Sequence, residues 1–321
     1  MNRAPATATL IVSPLASRIR AEPARHGVVE ATREAIRRRG HAGVEVVETG
    51  EPAAIAAAAA AAVAGGHGLV VLAGGDGTIR DASRALAGTG IEVGIVPCGT
   101  GNLYASSVGI PRQLEAAVEA IAGAPVRPYD VGVVQLVGAG VDATDVPVAP
   151  IDFVVACGTG FDAAMIASTD REMKRRHGVA AYFLAASRLL PSMTPRPTVL
   201  VVDGERTELE SVVVLVANCG EAIPGVLRPR LPIEPDDGVL HVFVLPRGGV
   251  VGGIRGVLEL MNAESHGISP SGHAVRLVGR DVRVEVEPAG PTQIDGDPFP
   301  AAWLHASIQP GGLRVIRGED A

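Results

Sequence analysis

Residues 70–78 read Val-Val-Leu-Ala-Gly-Gly-Asp-Gly-Thr, and this stretch decides the fold of the first part of the chain. A short apolar run is typical of a buried strand, and three glycines within four residues follow it. Glycine lets backbone N–H groups approach an anion closely, and the N-terminus of a following helix adds partial positive charge. The stretch therefore predicts a phosphate-binding turn, with Asp76 placed to reach a metal–phosphate complex. The alternative is a tight turn in which Asp76 or Thr78 only caps the helix.

A second glycine-rich stretch, Pro97-Cys98-Gly99-Thr100-Gly101-Asn102, follows the next predicted strand and precedes another helix. Alone, the spacing of Gly99 and Gly101 is a weak signal. The carboxyl ends of parallel strands meet at one edge of a sheet, however, so the two stretches are expected to lie side by side. Together they predict one phosphate pocket.

Strands and helices alternate along the first 125 residues. Apolar runs predict four strands, at residues 9–12, 44–47, 69–72 and 93–96. Apolar residues at helical spacing predict helices at 28–36, 51–64, 79–86 and 114–121. This order indicates a parallel sheet with right-handed crossovers.

The pattern changes after Pro128, where strands dominate. They are predicted at residues 130–136, 153–156, 198–202, 212–216, 239–245, 274–278 and 281–287. Two helices interrupt them, at 179–190 and 251–261, and Asp203-Gly204 is a hairpin signal. We therefore expect an α/β domain with the phosphate pocket over residues 1–128 and a β-rich sandwich domain over residues 129–308.

Composition excludes several classes of function. A formal net charge of −7 and 3% aromatic residues argue against nucleic acid as a partner. Lys174 is the single lysine among 28 basic residues, so the chain has neither a P-loop nor the strand lysine of protein kinases. Three widely spaced cysteines form neither a zinc site nor a disulfide framework, and we expect three small buried side chains.

The longest apolar stretch, residues 53–64, is too short to span a bilayer. We therefore expect a soluble, cytoplasmic protein that can also act peripherally at a membrane. The basic run at residues 173–177 could touch anionic headgroups, or it could simply be a solvated helix face.

These motifs resemble the diacylglycerol kinase catalytic-domain family of lipid kinases, which includes bacterial lipid kinases and sphingosine kinases. The resemblance starts with residues 74–78, 97–102 and the Gly-Ile-Pro at 109–111. It continues to the C-terminus with residues 157–163, Lys174, Gly178, Tyr182, residues 216–218, residues 236–240 and residues 294–296. The resemblance implies a sheet like that of NAD kinase and diacylglycerol kinase, with the last strand, at 313–316, returning to the first domain within residues 309–321.

The resemblance also implies transfer of a phosphoryl group from ATP, with Mg²⁺, to the hydroxyl of a lipid at a membrane surface. Diacylglycerol or a related lipid is the leading candidate, and a homodimer is one open oligomeric state. The implied nucleotide-binding residues are Ser13, Thr49, Gly74, Gly75, Asp76, Gly77, Thr78, Gly99, Thr100 and Asn102.

Two further sites are implied by the resemblance. Asp297 stands where the family has the catalytic Glu of Asp-Gly-Glu, and it would act as the base. Asp76 is the other implied catalytic residue. The alternative is a hairpin turn with two solvated carboxylates, Asp295 and Asp297. Asp237, with backbone carbonyls matching Glu234 and Val239, would bind a second, structural magnesium. The alternative there is an ordinary Asp-Gly turn.

The chain departs from the family in other places. Its first loop is Ser13-Pro14-Leu15-Ala16-Ser17 instead of Asn-Pro-x-Ser-Gly, and Arg80 and Asp81 replace Asn and Glu. NAD kinases share Gly-Gly-Asp-Gly-Thr and phosphorylate a water-soluble dinucleotide, although residues 99–102 and 295–296 favour the lipid branch. The altered first loop and Asp297 also leave open a non-catalytic nucleotide- or lipid-binding protein.

Overall fold

The structure is a computed structural model that describes residues 7–138, 149–160, 194–220, 230–246, 250–263, 265–300 and 302–317. It divides into two compact units, one formed by Met1–Val131 with Pro310–Ala321 and the other by Gly132–Gln309. The chain passes between the units within strand β5 (Val126–Val137) and within the last strand, β17 (Trp303–Ile316).

The first unit contains a parallel sheet. Its strands are β1 (Thr7–Val12), β2 (Gly43–Glu48), β3 (Leu69–Gly74) and β4 (Glu92–Pro97), in the order β2-β1-β3-β4. The end of β17 continues the sheet, because Arg314 and Val315 pair in parallel with Glu92 and Val93. Strand β2 lies on the outer side of β1, and β4 lies on the outer side of β3, at the opposite side of the sheet. The strand order therefore reverses between β1 and β3, which is where open α/β sheets bind ligands.

Five helices accompany this sheet, and their apolar faces complete the core. They are α1 (Glu22–Arg38), α2 (Pro52–Ala64), α3 (Asp76–Leu86), α4 (Leu103–Ser107) and α5 (Leu114–Gly123). Helix α3 begins three residues before its predicted start at Ile79, because the Thr78 and Ile79 N–H groups donate to the Gly75 carbonyl at 3.0 and 3.3 Å. The helix therefore starts inside the glycine motif.

The second unit is a sandwich of two antiparallel sheets. One has the order β12-β13-β11-β10-β7-β15-β16, and the other pairs residues 303–309 of β17 with β14, β8 and β9 in turn. A single core cluster takes buried side chains from both sheets, including Val216 and Val242 from the first and Leu200 and Val284 from the second. The fold class predicted from the sequence is confirmed.

The strands of the sandwich are short, and helix α6 (Val250–Asn262) confirms the predicted helix at 251–261. The strands are β6 (Ile151–Phe153), β7 (Ala156–Gly160), β8 (Arg196–Val202), β9 (Glu205–Ser211), β10 (Val213–Ala217), β11 (Leu240–Leu245), β12 (Gly267–Ile268), β13 (Val275–Gly279), β14 (Asp281–Val286), β15 (Thr292–Ile294) and β16 (Asp297–Phe299). The Asp203-Gly204 signal is confirmed as a two-residue hairpin between β8 and β9, with φ of +49° and +87°.

One predicted strand is wrong. Residues 153–156 were expected to form a single strand, but β6 ends at Phe153 and β7 begins at Ala156. The backbone N–H groups of Val154 and Val155 leave the sheet and donate to the Asp295 carboxylate. A side chain distant in sequence therefore breaks the strand.

Several predictions fall outside the described residues. They are the helix at 179–190, the basic run at 173–177 and most of the loop at 139–150. The three cysteines are buried and unbridged, as expected. Burial raises the pKa of the Cys98 thiol to about 12, so this thiol stays protonated at neutral pH. Within the described part of the chain, no helix combines the length and apolar character needed to cross a membrane.

Candidate active site

The loops that follow the parallel strands lie together at one edge of the first sheet. The buried Ser13 follows β1, and its N–H donates to the Ala73 carbonyl of β3 at 2.9 Å. Thr49 follows β2, and its N–H donates to the Val12 carbonyl of β1 at 2.9 Å. Two of the residues expected from the sequence are therefore fixed by backbone hydrogen bonds at the carboxyl ends of the strands.

The two glycine loops touch each other directly. The N–H groups of Cys98 and Gly99 both donate to the Gly74 carbonyl, at 2.8 and 3.2 Å. A Cβ atom on Gly99 would lie 2.6 Å from the Gly75 Cα, a contact that real side chains do not make. A Cβ on Gly74 would overlap the Thr78 side chain. Glycine is required at these positions because backbone packs against backbone, or against Thr78, without space for a side chain.

Asp76 joins the two loops through its carboxylate. Its Oδ2 accepts the Leu103 N–H at 3.1 Å, and its Oδ1 accepts the Tyr104 N–H at 3.0 Å. Asp76 therefore caps α4, the helix that follows the second loop, from the start of α3. Burial raises the pKa of the Asp76 carboxyl, and the backbone N–H groups that it accepts oppose that rise.

The second loop owes its shape to Asn102. This residue has a φ of +51°, in the left-handed region that Asn tolerates better than most residues. Its Oδ1 accepts the Gly99 N–H at 2.9 Å, and its Nδ2 donates to the Gly99 carbonyl at 2.8 Å. The Thr100 hydroxyl donates to Ser17 Oγ, in the loop that follows β1, at 3.2 Å. Three loops are thus linked by hydrogen bonds on this edge.

The residues that replace Asn and Glu after Thr78 pair with each other. Arg80 Nη2 lies 2.8 Å from Asp81 Oδ1, and both side chains are nearly buried. This ion pair lies in α3, in the turn of helix that follows the first glycine loop.

In the second unit, Asp295 and Gly296 form the two-residue turn of the β15–β16 hairpin. Their φ angles are +47° and +82°, so both occupy the left-handed region, as in a type I′ turn. The Asp295 carboxylate accepts N–H groups from Val154, Val155 and Ala156, at 2.9, 2.8 and 3.0 Å. The turn of the alternative prediction is present, but Asp295 is not a solvated carboxylate.

Asp297 is the first residue of β16, opposite Ile294 of β15, and its side chain is exposed. It follows directly after the turn that Asp295 fixes. Its position is therefore set by the hairpin register. The base role of Asp297 stays a prediction.

Asp237 belongs to a chain of polar side chains in the second unit. Its Oδ1 accepts the Val239 N–H at 3.0 Å, and its Oδ2 lies 2.9 Å from His241 Nε2. Arg276 Nη2 lies 3.2 Å from His241 Nδ1. Because arginine only donates, Nδ1 accepts this bond and Nε2 carries the proton that goes to Asp237. Glu234 is exposed at the same turn, and the magnesium site at Glu234, Asp237 and Val239 stays a prediction.

The sequence analysis missed His241 and Arg276. Arg276 is 1% exposed, and its guanidinium also donates to the carbonyls of Leu231 and Pro232 at 2.8 and 3.2 Å. A histidine inside the apolar β11 and an arginine inside β13 were the available signals. Across the described residues, no cluster of three or more His, Cys, Asp or Glu side chains could hold a metal ion.

The structure thus assembles the predicted nucleotide residues in the first unit. Asp237 and Asp297 belong to the second unit, on different elements. Comparison with known proteins agrees with this two-part organisation. Residues 8–134 match the diacylglycerol kinase catalytic domain, and residues 155–317 match the YegS C-terminal NAD kinase beta sandwich-like domain. This chain belongs to the diacylglycerol kinase family.

Individual relatives of the diacylglycerol kinase family are distant in sequence. A Pseudomonas aeruginosa protein named "Probable lipid kinase YegS-like" is 30% identical over 263 residues, covering 78% of this chain and 77% of that protein. An uncharacterised Synechocystis protein is 26% identical over 78% of this chain, and the match spans 55% of its length. The crystal structure of a diacylglycerol kinase from Bacillus anthracis superposes with a TM-score of 0.68 at 19% identity, covering 98% of this chain and 97% of that one. That structure supports the fold.

Proposed function

We propose that this protein is a lipid kinase that transfers the γ-phosphoryl group of ATP to a lipid hydroxyl. The observation that carries the proposal is the pair of glycine loops joined through Asp76 at the edge where the strand order reverses. The glycines in these loops carry no side chain, so an anion can approach the backbone closely there, as a phosphate site requires. Membership of the diacylglycerol kinase family supports ATP as the donor.

Phosphoryl transfer depends mostly on positioning and on neutralising charge. Backbone N–H groups within residues 75–77 hold phosphate oxygens, and Thr100 and Asn102 shape the opposite wall. Asp76 is the single carboxylate in the two loops. One or two carboxylates together with substrate phosphates are the usual ligands of Mg²⁺, so these residues fit the ion. When bound, Mg²⁺ neutralises the charge on the phosphate oxygens.

Asp297 acts as the general base in this proposal. Its carboxylate takes the proton from the lipid hydroxyl as the hydroxyl oxygen forms a bond to the γ-phosphorus. The bond between that phosphorus and the bridging oxygen breaks, and ADP leaves with the electron pair. Aspartate is one methylene shorter than glutamate but performs the same acid–base chemistry.

The acceptor we propose is diacylglycerol or a related lipid presented at a membrane surface. The family supports this class of acceptor. A β-sandwich can bind an acyl chain between its sheets or loops, and the substrate site is proposed on the second unit.

The experiment supplies radiolabelled ATP and Mg²⁺ with a panel of lipids in mixed micelles: diacylglycerol, monoacylglycerol, a sphingoid base and a polyprenol. NAD serves as a parallel water-soluble acceptor. Label in a lipid is the expected result. Label in NAD alone would replace the proposal with the NAD kinase reaction. ATP binding without label in any acceptor would favour a non-catalytic binding protein.

A further inference from the structure

A cleft of about 330 Å³ opens beside the second glycine loop, wholly within the first unit. Arg18 and Arg112 line it together with Thr100, Asn102 and Ser106. Among the described residues that line it, none is acidic. Its volume is at the low end of roughly 300–1,000 Å³ for small-molecule sites, so it suits part of a ligand more than a whole nucleotide.

Arg18 is held in place by backbone carbonyls. Its Nη1 donates to Pro97 of the second loop at 3.1 Å and to Arg112 at 2.7 Å. Its own N–H donates to the Cys98 carbonyl at 3.1 Å. These bonds orient the guanidinium toward the second loop and bring the Arg112 backbone beside it. Nε and Nη2 of Arg18 have no protein partner among the described residues.

Arg112 supplies a second guanidinium to the same cleft. Within the part of the chain that the structure describes, this side chain forms no hydrogen bond or ion pair. By contrast, six arginines of the first unit are ion-paired with acids: Arg25, Arg33, Arg37, Arg38, Arg39 and Arg80. Arg18 and Arg112 therefore form a locally positive site in a chain whose net charge is −7.

Two positively charged residues that line the same cleft favour an anion as its occupant. A guanidinium presents planar paired donors that match the oxygens of a phosphate group. The first unit contains no lysine, so arginine must provide any cationic contact to phosphate there. The Thr100 hydroxyl adds a neutral donor at the same wall.

We propose that Arg18 and Arg112 together bind a phosphate group of the donor nucleotide beside Thr100. This inference rests on the proposed use of ATP. It assigns to the chain two cationic phosphate contacts that the glycine motifs do not include. Continuity of the cleft with Gly99, Thr100 and Asn102 favours a nucleotide phosphate over a separate anion.

The test is calorimetric binding of ATP, adenosine and tripolyphosphate to the full chain and to Arg18→Gln and Arg112→Gln. Each variant should bind ATP about tenfold more weakly, because a charge-assisted hydrogen bond contributes about that factor. Adenosine affinity should not change, and tripolyphosphate should compete with ATP. Arg20→Gln is the matched control, since Arg20 is exposed on the same segment and does not line the cleft.

Arg112→Gln keeps the backbone carbonyl that Arg18 uses, so it remains informative if Arg18→Gln fails to fold. Thermal unfolding checks both variants, and Arg112→Lys should recover part of the ATP affinity. Unchanged ATP affinity in Arg112→Gln would overturn the inference. So would loss of tripolyphosphate binding with ATP binding intact, because the two arginines would then bind an anion other than the nucleotide phosphates. Tight, arginine-dependent ATP binding without lipid phosphorylation would contradict the proposed function and leave this site standing.

Discussion

At the scale of single residues, Asp76 combines a structural contact with a charge that burial disfavours. Burial raises the pKa of its carboxyl above the ordinary value, although the N–H groups of Leu103 and Tyr104 oppose the rise. The folded chain therefore holds this proton more tightly than the unfolded chain does. The contribution of Asp76 to stability is thus present below its ordinary pKa and is lost as pH rises through the raised pKa.

The direction of this pKa shift predicts a pH dependence for the stability of Asp76→Asn. The variant loses an acceptor for one N–H group, so it should be less stable than the native chain in acid. Its deficit should shrink as pH rises through the raised pKa of Asp76, where the native carboxyl ionises. Urea unfolding at several pH values measures the difference. A deficit that is constant over this range would contradict the account.

Asp295 is the second residue whose carboxylate organises the backbone. Asp295→Ala leaves three N–H groups without their acceptor, and we expect a loss of about 2–4 kcal/mol in the free energy of unfolding. Asp203→Ala is a matched control, because Asp203 is likewise the first residue of a two-residue hairpin turn and has a positive φ. Its carboxylate accepts the N–H groups of the exposed Arg280 and the half-buried Asp281.

We expect Asp203→Ala to cost less stability and to leave phosphoryl transfer unchanged. Asp295→Ala should also slow transfer at temperatures where the variant is folded, since the turn positions Asp297. Urea unfolding and steady-state transfer, measured on both variants, separate the two effects. Equal effects of the two substitutions on stability and rate would argue against a special role for Asp295.

At the scale of elements, the contact between the two glycine loops makes Gly99 intolerant of a side chain. Gly99→Ala would place Cβ 2.6 Å from the Gly75 Cα and 2.8 Å from Asn102 Oδ1. The loops must separate, at a cost of about 1–3 kcal/mol in stability. ATP affinity should fall with it, because the N–H groups of both loops move.

Gly27→Ala is the matched control for this prediction, because Gly27 lies in α1 and outside both glycine loops. A Cβ there would meet no atom within 4 Å, and Gly27 has no positive φ. Thermal unfolding and calorimetric ATP titration of the two variants provide the measurement. If Gly99→Ala binds ATP as tightly as Gly27→Ala, the close contact between the loops does not shape the nucleotide site.

The elements also show what sequence could and could not predict. The apolar runs located the parallel strands and their order along the chain, since β1, β3 and β4 are buried on both faces. The break between β6 and β7 could not be predicted, because Asp295 causes it from 140 residues away. Strand β9 was missed because its sequence, Glu-Arg-Thr-Glu-Leu-Glu-Ser, is mostly polar, although the Asp203-Gly204 turn before it was identified.

The candidate site was predictable only in part. Glycine spacing placed the two loops, because glycine is required where backbones touch. The bond from Asp76 to α4 and the chain from Asp237 through His241 to Arg276 depend on tertiary contacts between separate elements. No local pattern encodes such partners.

At the scale of the whole molecule, the two units correspond to two kinds of task in the proposed reaction. The first unit, a parallel sheet with glycine loops, carries the proposed site for the phosphates of the donor. The second, an antiparallel sandwich, carries Asp297 and the proposed lipid site. The central claim is that both tasks serve one reaction, transfer of phosphate from ATP to a lipid hydroxyl with Asp297 as base.

The most direct measurement is the initial rate of label transfer from γ-labelled ATP to the accepted lipid by the native chain, Asp297→Ala and Asp297→Glu. We predict transfer by the native chain, a loss of about 10²–10⁴-fold in Asp297→Ala, and substantial activity in Asp297→Glu, which keeps a carboxylate. ATP affinity should be equal in all three. A native rate in Asp297→Ala would contradict the assignment of the base, and a native chain that binds ATP but labels no lipid would contradict the central claim.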